Sequence, residues 1–221
     1  YSRVLEKQLG YRNISPDEWQ QRPNARYIGA PDRLYIRNAL SWGNLLKAGF
    51  TMDKDAGEPM IQRDLPDTIS TNIKIRNVAG FDFVSAYACI QDYKFIKKIV
   101  LGDYHLQFGQ GVTIWSGMAY GKSADVTNIK KYEGIIRPNT ASNENNYMRG
   151  IAAWLQFGSF GLISYYSKTR FDAGQGSGYH RTYNEIIDRH SLNAVNYGGR
   201  IYYRHNHFKA GVILNLSRFR W

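Results

Sequence analysis

The run FKAGVILNLS at 208–217 sets the strongest constraint on the fold. Phe208, Ala210, Val212, Leu214 and Leu216 alternate with Lys209, Gly211, Asn215 and Ser217, and only Ile213 breaks the pattern. Period two belongs to a strand with one apolar and one polar face. The same alternation recurs along the chain. Leu46, Ala48, Phe50 and Met52 alternate with Lys47, Gly49, Thr51 and Asp53, and Val100, Tyr104, Leu106 and Phe108 alternate with Asp103, His105 and Gln107.

Each strand has a partner across a tight turn. Residues 33–42 meet 45–53 across Gly43-Asn44, 81–90 meet 96–108 across QDYKF, 147–157 meet 160–171 across Gly158-Ser159, and 196–205 meet 208–218 across Asn206-His207. Gly and Asn tolerate positive φ and so suit the primed turns of two-residue hairpins. The connections between hairpins, 54–80, 109–146 and 172–195, are long and polar. Strands of about ten residues, with short turns alternating with long loops, match a transmembrane barrel. The expectation is an all-β fold: an antiparallel up-and-down outer-membrane β-barrel, or a fragment of a larger one, with short periplasmic turns and long extracellular loops. A soluble β-sandwich or lipocalin-like barrel is the alternative, although its strands are usually shorter and three such loops on one side would be unusual.

Residues 31–221 carry the hairpins as one domain. Residues 1–30 are irregular, periplasmic or an entering strand, with Ser15 placed to cap a short helix ahead of Pro16, Asp17 and Glu18. The chain has 221 residues and begins with Tyr1 rather than Met, which suggests a processed chain or a piece of a longer one. Trp221 is aromatic, as barrel C-termini often are, but Arg220 and the continuing alternation fit a cut chain equally well. No stretch approaches eighteen apolar residues, and barrel strands leave no such signature.

A net charge of +11 points to anionic partners or to a basic pore lining. If the apolar face meets lipid, the other face lines a lumen. That lining would hold Arg33, Arg37, Lys47, Arg149, Arg200, Arg204 and Lys209, joined by Asp53, Asp103, His105 and Gln107. Either the pore favours anions, or the barrel is plugged and these cations pair with acids such as those of DKDAGE at 53–58. Loop candidates are Asp55, Glu58, Lys122 and Glu144.

No chemical motif passes its spacing test. SGMAYGKS at 116–123 ends like a phosphate loop, but three residues separate Gly117 from Gly121 where four are needed. DKDAGE lacks EF-hand spacing, and His205 and His207 have no third ligand beside them. In HRTYNEI, Arg181 and Glu185 stand at i, i+4, a structural pairing if the segment is helical. No nucleophile elbow is present. Cys89 is a lone thiol, expected to be inert packing. No metal, no cofactor and no catalytic constellation are expected.

LGDYHLQFGQGVTIWSGMAYGKSADV (101–126), IIRPNTASNENNYMRGIAA (135–153), FDAG (171–174), GYHRTYNEI, YGGRIYYR and AGFTMDKDAGEP (48–59) resemble, together, the barrel portion of Bacteroidota outer-membrane proteins that carry a helix-hairpin-helix domain. The resemblance covers most of 33–217. It implies a barrel in the outer membrane of a Gram-negative bacterium, in contact with outer-membrane lipid and lipopolysaccharide, and with other envelope proteins as partners. Nothing here matches the helix-hairpin-helix domain, which weakens the case for nucleic acid. The expected function is non-enzymatic: transport or secretion, or a structural subunit of an envelope complex. Polyanion (DNA) binding in support of DNA uptake is the alternative, and an outer-membrane enzyme with a loop-borne site is a further one.

Overall fold

A computed structural model of the chain describes residues 9–11, 13–61, 77–109, 113–115, 135–143, 147–172 and 178–220. Ten antiparallel strands form one sheet: β1 (Leu34–Trp42), β2 (Leu46–Lys54), β3 (Phe83–Tyr93), β4 (Ile96–Phe108), β5 (Ile114–Trp115), β6 (Ile135–Pro138), β7 (Met148–Phe157), β8 (Phe160–Phe171), β9 (Leu192–His205) and β10 (Phe208–Arg220). The order β1-β2-β3-β4-β7-β8-β9-β10 is a meander, with β5 and β6 both paired to β4. Two short helices, α1 (Pro16–Gln21) and α2 (Tyr183–Ile187), complete the described secondary structure together with a 3-10 turn at Leu9–Tyr11. No described helix is long and apolar enough to cross a membrane.

All four expected hairpins form. Gly158 (φ 54°) and Asn206 (φ 34°) take the left-handed backbone that primed two-residue turns use, whereas β1 and β2 are joined by three residues, Gly43 (φ 55°), Asn44 and Leu45, rather than by Gly43-Asn44 alone. The β3–β4 connection is shorter than QDYKF suggests. Tyr93 pairs with Ile96, which leaves only Lys94 and Phe95 in the turn. The pairing of β5 and β6 with β4 was not legible, because neither has enough residues to show an alternation.

The chain divides into two compact units. One comprises 37–50, 85–171 and 192–221, and the other 1–36, 51–84 and 172–191. The first holds most of the sheet. Its register links Cys89, Val100, Ala152, Tyr165, Gly198 and Asn215 in one row, and Lys98, Trp154, Ile163, Arg200 and Ile213 in the next. These rows lie on one face, which we call the covered face. Cys89, Val100, Tyr104, Leu106, Phe108, Ile136, Ala152, Ile163 and Tyr165 form its core. Tyr202 packs across Gly161, where a Cβ would stand 2.1 Å from its ring, so the strands close up only with glycine at that position.

β8 shows the two faces most plainly. Gly161, Ile163, Tyr165, Ser167 and Thr169 are buried, while Phe160, Leu162, Ser164, Tyr166, Lys168 and Arg170 are exposed. The exposed face of the sheet carries Leu101, Ile151, Leu162, Ile201, Val212, Leu214 and Leu216, with Val212 76% and Leu214 63% open.

In the second unit, Ser15 caps α1 as expected, its Oγ accepting the Glu18 N–H at 3.2 Å. α2 corrects the expected Arg181–Glu185 pair. Glu185 instead accepts the backbone N–H groups of Arg181 and Thr182, both at 2.9 Å, as a capping box. The Arg181 guanidinium lies over the rings of Tyr179 and Tyr27.

Candidate functional site

In the first unit, the basic residues of the covered face gather at the end of the sheet that carries the short turns. Cross-strand register sets Lys98 opposite Trp154, and Lys209 opposite Arg204. A recess of about 570 Å³ is lined there by Gln91, Asp92, Lys97, Lys98, Trp154, Gln156, Gly158, Ser159, Tyr202 and Arg204. Its wall is rigid. Trp154 Nε1 donates to the Tyr202 hydroxyl at 2.9 Å, and that hydroxyl donates to Gln156 Oε1 at 2.7 Å. Arg200 and Lys209 lie over the Tyr202 ring at 5.3 and 5.4 Å from its centroid. Lys97, Lys98 and Arg204 make no ion pair among the described residues, and with Asp92 they leave the recess lining net positive.

On the exposed face the same end carries a row of aromatics. Trp42, Tyr93, Phe95, Phe157, Phe160 and Phe208 are all exposed next to the short turns. Phe95 stacks on Phe157 with centroids 5.1 Å apart, and Phe160 tilts onto Tyr203 at 4.9 Å.

The expected lumen residues divide between the two faces. Arg200, Arg204 and Lys209 stand on the covered face by register. Lys47 joins them by alternation from Gly49, whose missing Cβ would point at the Tyr87 ring. Asp103, His105, Gln107 and Arg149 do not belong there. They share the opposite face of β4 and β7, because Val100, Tyr104, Leu106 and Phe108 fill the core instead of facing outward. Asp103 and Arg149 pair across strands at 2.6 and 2.8 Å, and His105 Nε2 bonds Asn139 Oδ1 at 3.0 Å. Arg37 stands exposed in β1. Lys122 and Glu144, with the GKS segment, lie outside the described residues.

The second unit contains a buried ionic cluster that spacing along the chain could not reveal. At its edge the exposed Arg33 bridges Asp53 at 3.0 Å and Asp55 at 3.2 Å. Nearby, Glu58 is only 1% exposed. Its carboxylate accepts the backbone N–H of Asp55 at 2.8 Å and of His180 at 3.0 Å, which ties together loops 122 residues apart. The His180 ring lies between two carboxylates, with Nδ1 2.5 Å from Asp82 and Nε2 2.9 Å from Asp172. Arg189 donates to the other Asp82 oxygen at 2.7 Å.

With both ring nitrogens facing carboxylates, His180 is held as an imidazolium. Burial alone would lower its pKa. The hydrogen bonds to Asp172 and Asp82 outweigh burial and carry it up to about 10. Burial pushes Asp172 up, but its bonds to His180 and to the His190 N–H bring it below the usual carboxylate range. Glu58 is raised, first by burial and then by the charge on Asp82. Among the described residues, Glu58, Asp82 and His180 are the one group whose donor atoms converge closely enough to hold a metal ion, all within 4.8 Å.

Comparison with protein-family models, with curated proteins and with solved structures returns no match for this chain.

Proposed function

We propose that the chain is the barrel-forming part of an outer-membrane protein, that it acts without catalysis, and that it serves as a membrane-embedded structural subunit of an envelope complex. One observation carries this reading: the exposed apolar face of the sheet, bordered by its aromatic row. A water-soluble domain rarely leaves so wide an apolar surface open. From Phe208 to Leu216 the outward run takes eight residue steps, about 27 Å along the strand before tilt, close to the roughly 25 Å apolar band of outer-membrane barrels. The aromatics beside the short turns fit an interfacial girdle. At the other strand ends, exposed Lys168, Arg170, Arg218 and Arg220 suit the phosphates of outer-membrane lipid and lipopolysaccharide.

The choice of anchor over open conduit rests on the covered face. At mid-height it holds Val100, Ile163 and Tyr165, all nearly closed to solvent, where a water-filled pore would need exposed polar side chains. The recess at the turn end favours a second reading, capture of an anionic cargo or polyanion, because Lys98 and Arg204 face it without an acid partner among the described residues.

Planar-bilayer recording of the full-length protein separates the two. The anchor reading predicts no steady conductance. Stable anion-selective steps, reduced when Arg204 is replaced by Glu, would overturn it in favour of transport.

A further inference from the structure

The ionic cluster of the second unit has the parts of a divalent-metal site. This inference stands independently of the membrane reading, because every group it uses, Glu58, Asp82, Asp172, His180 and Arg189, belongs to the second unit and lies outside the sheet strands. Glu58, Asp82 and His180 bring one imidazole nitrogen and two carboxylates together in a space closed to solvent. His180 Nδ1 faces Asp82 at 2.5 Å and Glu58 at 4.0 Å. The other ring nitrogen is already committed to Asp172 at 2.9 Å. That is the outer-shell arrangement by which a carboxylate fixes the tautomer and orientation of a metal-bound histidine. Asp172 is itself held, its second oxygen accepting the His190 N–H at 2.8 Å. Glu58 is aimed by two backbone N–H groups, so neither its position nor that of the ring depends on a flexible surface.

Charge points the same way. Glu58, Asp82 and Asp172 bring three negative charges, against Arg189 and the His180 imidazolium. Among the described residues the carboxylates of the cluster thus outnumber its cations by one, which favours a further cation there. A divalent cation that displaces the Nδ1 proton exchanges +1 for +2 and closes the balance.

We propose that Glu58, Asp82 and His180 bind one divalent transition-metal ion of the zinc class, with Asp172 orienting the imidazole. Mixed N and O donors suit Zn2+ and its neighbours better than Ca2+ or Mg2+, which take oxygen alone. On binding, the Nδ1 lone pair and one oxygen of each carboxylate coordinate the ion, and the Nδ1 proton leaves to solvent. Nε2 keeps its proton on Asp172. The Asp82 carboxylate has to swing so that its oxygen moves from 2.5 Å to about 3.3 Å from Nδ1, the separation of two ligands in a tetrahedral site. Arg189 on its other oxygen acts as the pivot.

The test is calorimetric titration of the chelator-treated full-length protein with Zn2+. A His205→Ala, His207→Ala background removes the two exposed turn histidines. The expected result is one equivalent bound. His180→Gln is expected to abolish binding. Asp172→Asn, which leaves all three ligands in place, is expected to weaken it 10- to 100-fold. Absence of stoichiometric binding, affinity unchanged in Asp172→Asn, or tighter binding of Mg2+ than Zn2+ would each overturn the proposal.

Discussion

Replacing His180 with alanine is expected to destabilise the metal-free protein by about 3–5 kcal/mol, the loss typical of a buried ion pair that loses one partner. His180 is 2% exposed and bridges Asp82 and Asp172, so among the described residues alanine leaves Asp172 with no cation in the cluster and Asp82 with Arg189 alone. The effect has a pH signature. The folded pKa of His180 lies near 10, above its ordinary value of 6.5. Its contribution is therefore complete below about pH 6.5 and is lost as pH rises through 10. Asp172 is shifted the other way, so its share is complete above the ordinary carboxylate value near 4 and is lost in acid. Urea unfolding of the wild type and of His180→Ala from pH 5 to 10 should give curves that converge toward the alkaline end. A gap under 1 kcal/mol at pH 6, or one that widens with pH, would contradict this account of the cluster.

Leu214→Arg is the second large effect. Leu214 sits mid-strand in β10 and is 63% exposed. On a lipid-facing band an arginine near the midplane costs about 2–4 kcal/mol, falling to about 0–1 near the interface. Phe208→Arg, in the aromatic row beside the short turn, is the interfacial control. Folding titrations of the full-length protein into phospholipid vesicles should show this depth dependence. On a water-facing sheet both substitutions would stay within about 0.5 kcal/mol.

The hairpins were readable because β10 keeps a period of two apart from Ile213 and because the turns carry Gly or Asn where φ is positive. The faces of β4 were not. Ile99 and Leu101 face one side while Val100, Leu106 and Phe108 face the other, so apolar residues occupy both sets of alternate positions. Only the cross-strand partners decide which set fills the core, and they put Asp103, itself buried, and Arg149 together on the opposite face. The turn-end recess was half legible. Arg200, Arg204 and Lys209 followed from alternation, whereas Lys98, Trp154 and Tyr202 meet only through register. The His180 cluster was invisible for a different reason. Its members come from separate loops, Glu58 and His180 lie 122 residues apart, and no periodicity links them.

The central claim is that the exposed apolar face of the sheet meets lipid. The most direct test is the accessibility of a nitroxide label at position 212, introduced as Val212→Cys in the full-length protein reconstituted into vesicles. Val212 is 76% exposed, and the native Cys89, only 2% exposed, is closed to the label. We predict that dissolved oxygen, which concentrates in the bilayer, relaxes the label far more than a water-soluble nickel chelate, and that the order reverses for a label at Arg204→Cys in the recess. Greater relaxation by the nickel chelate at position 212 would place that face in water and contradict the account.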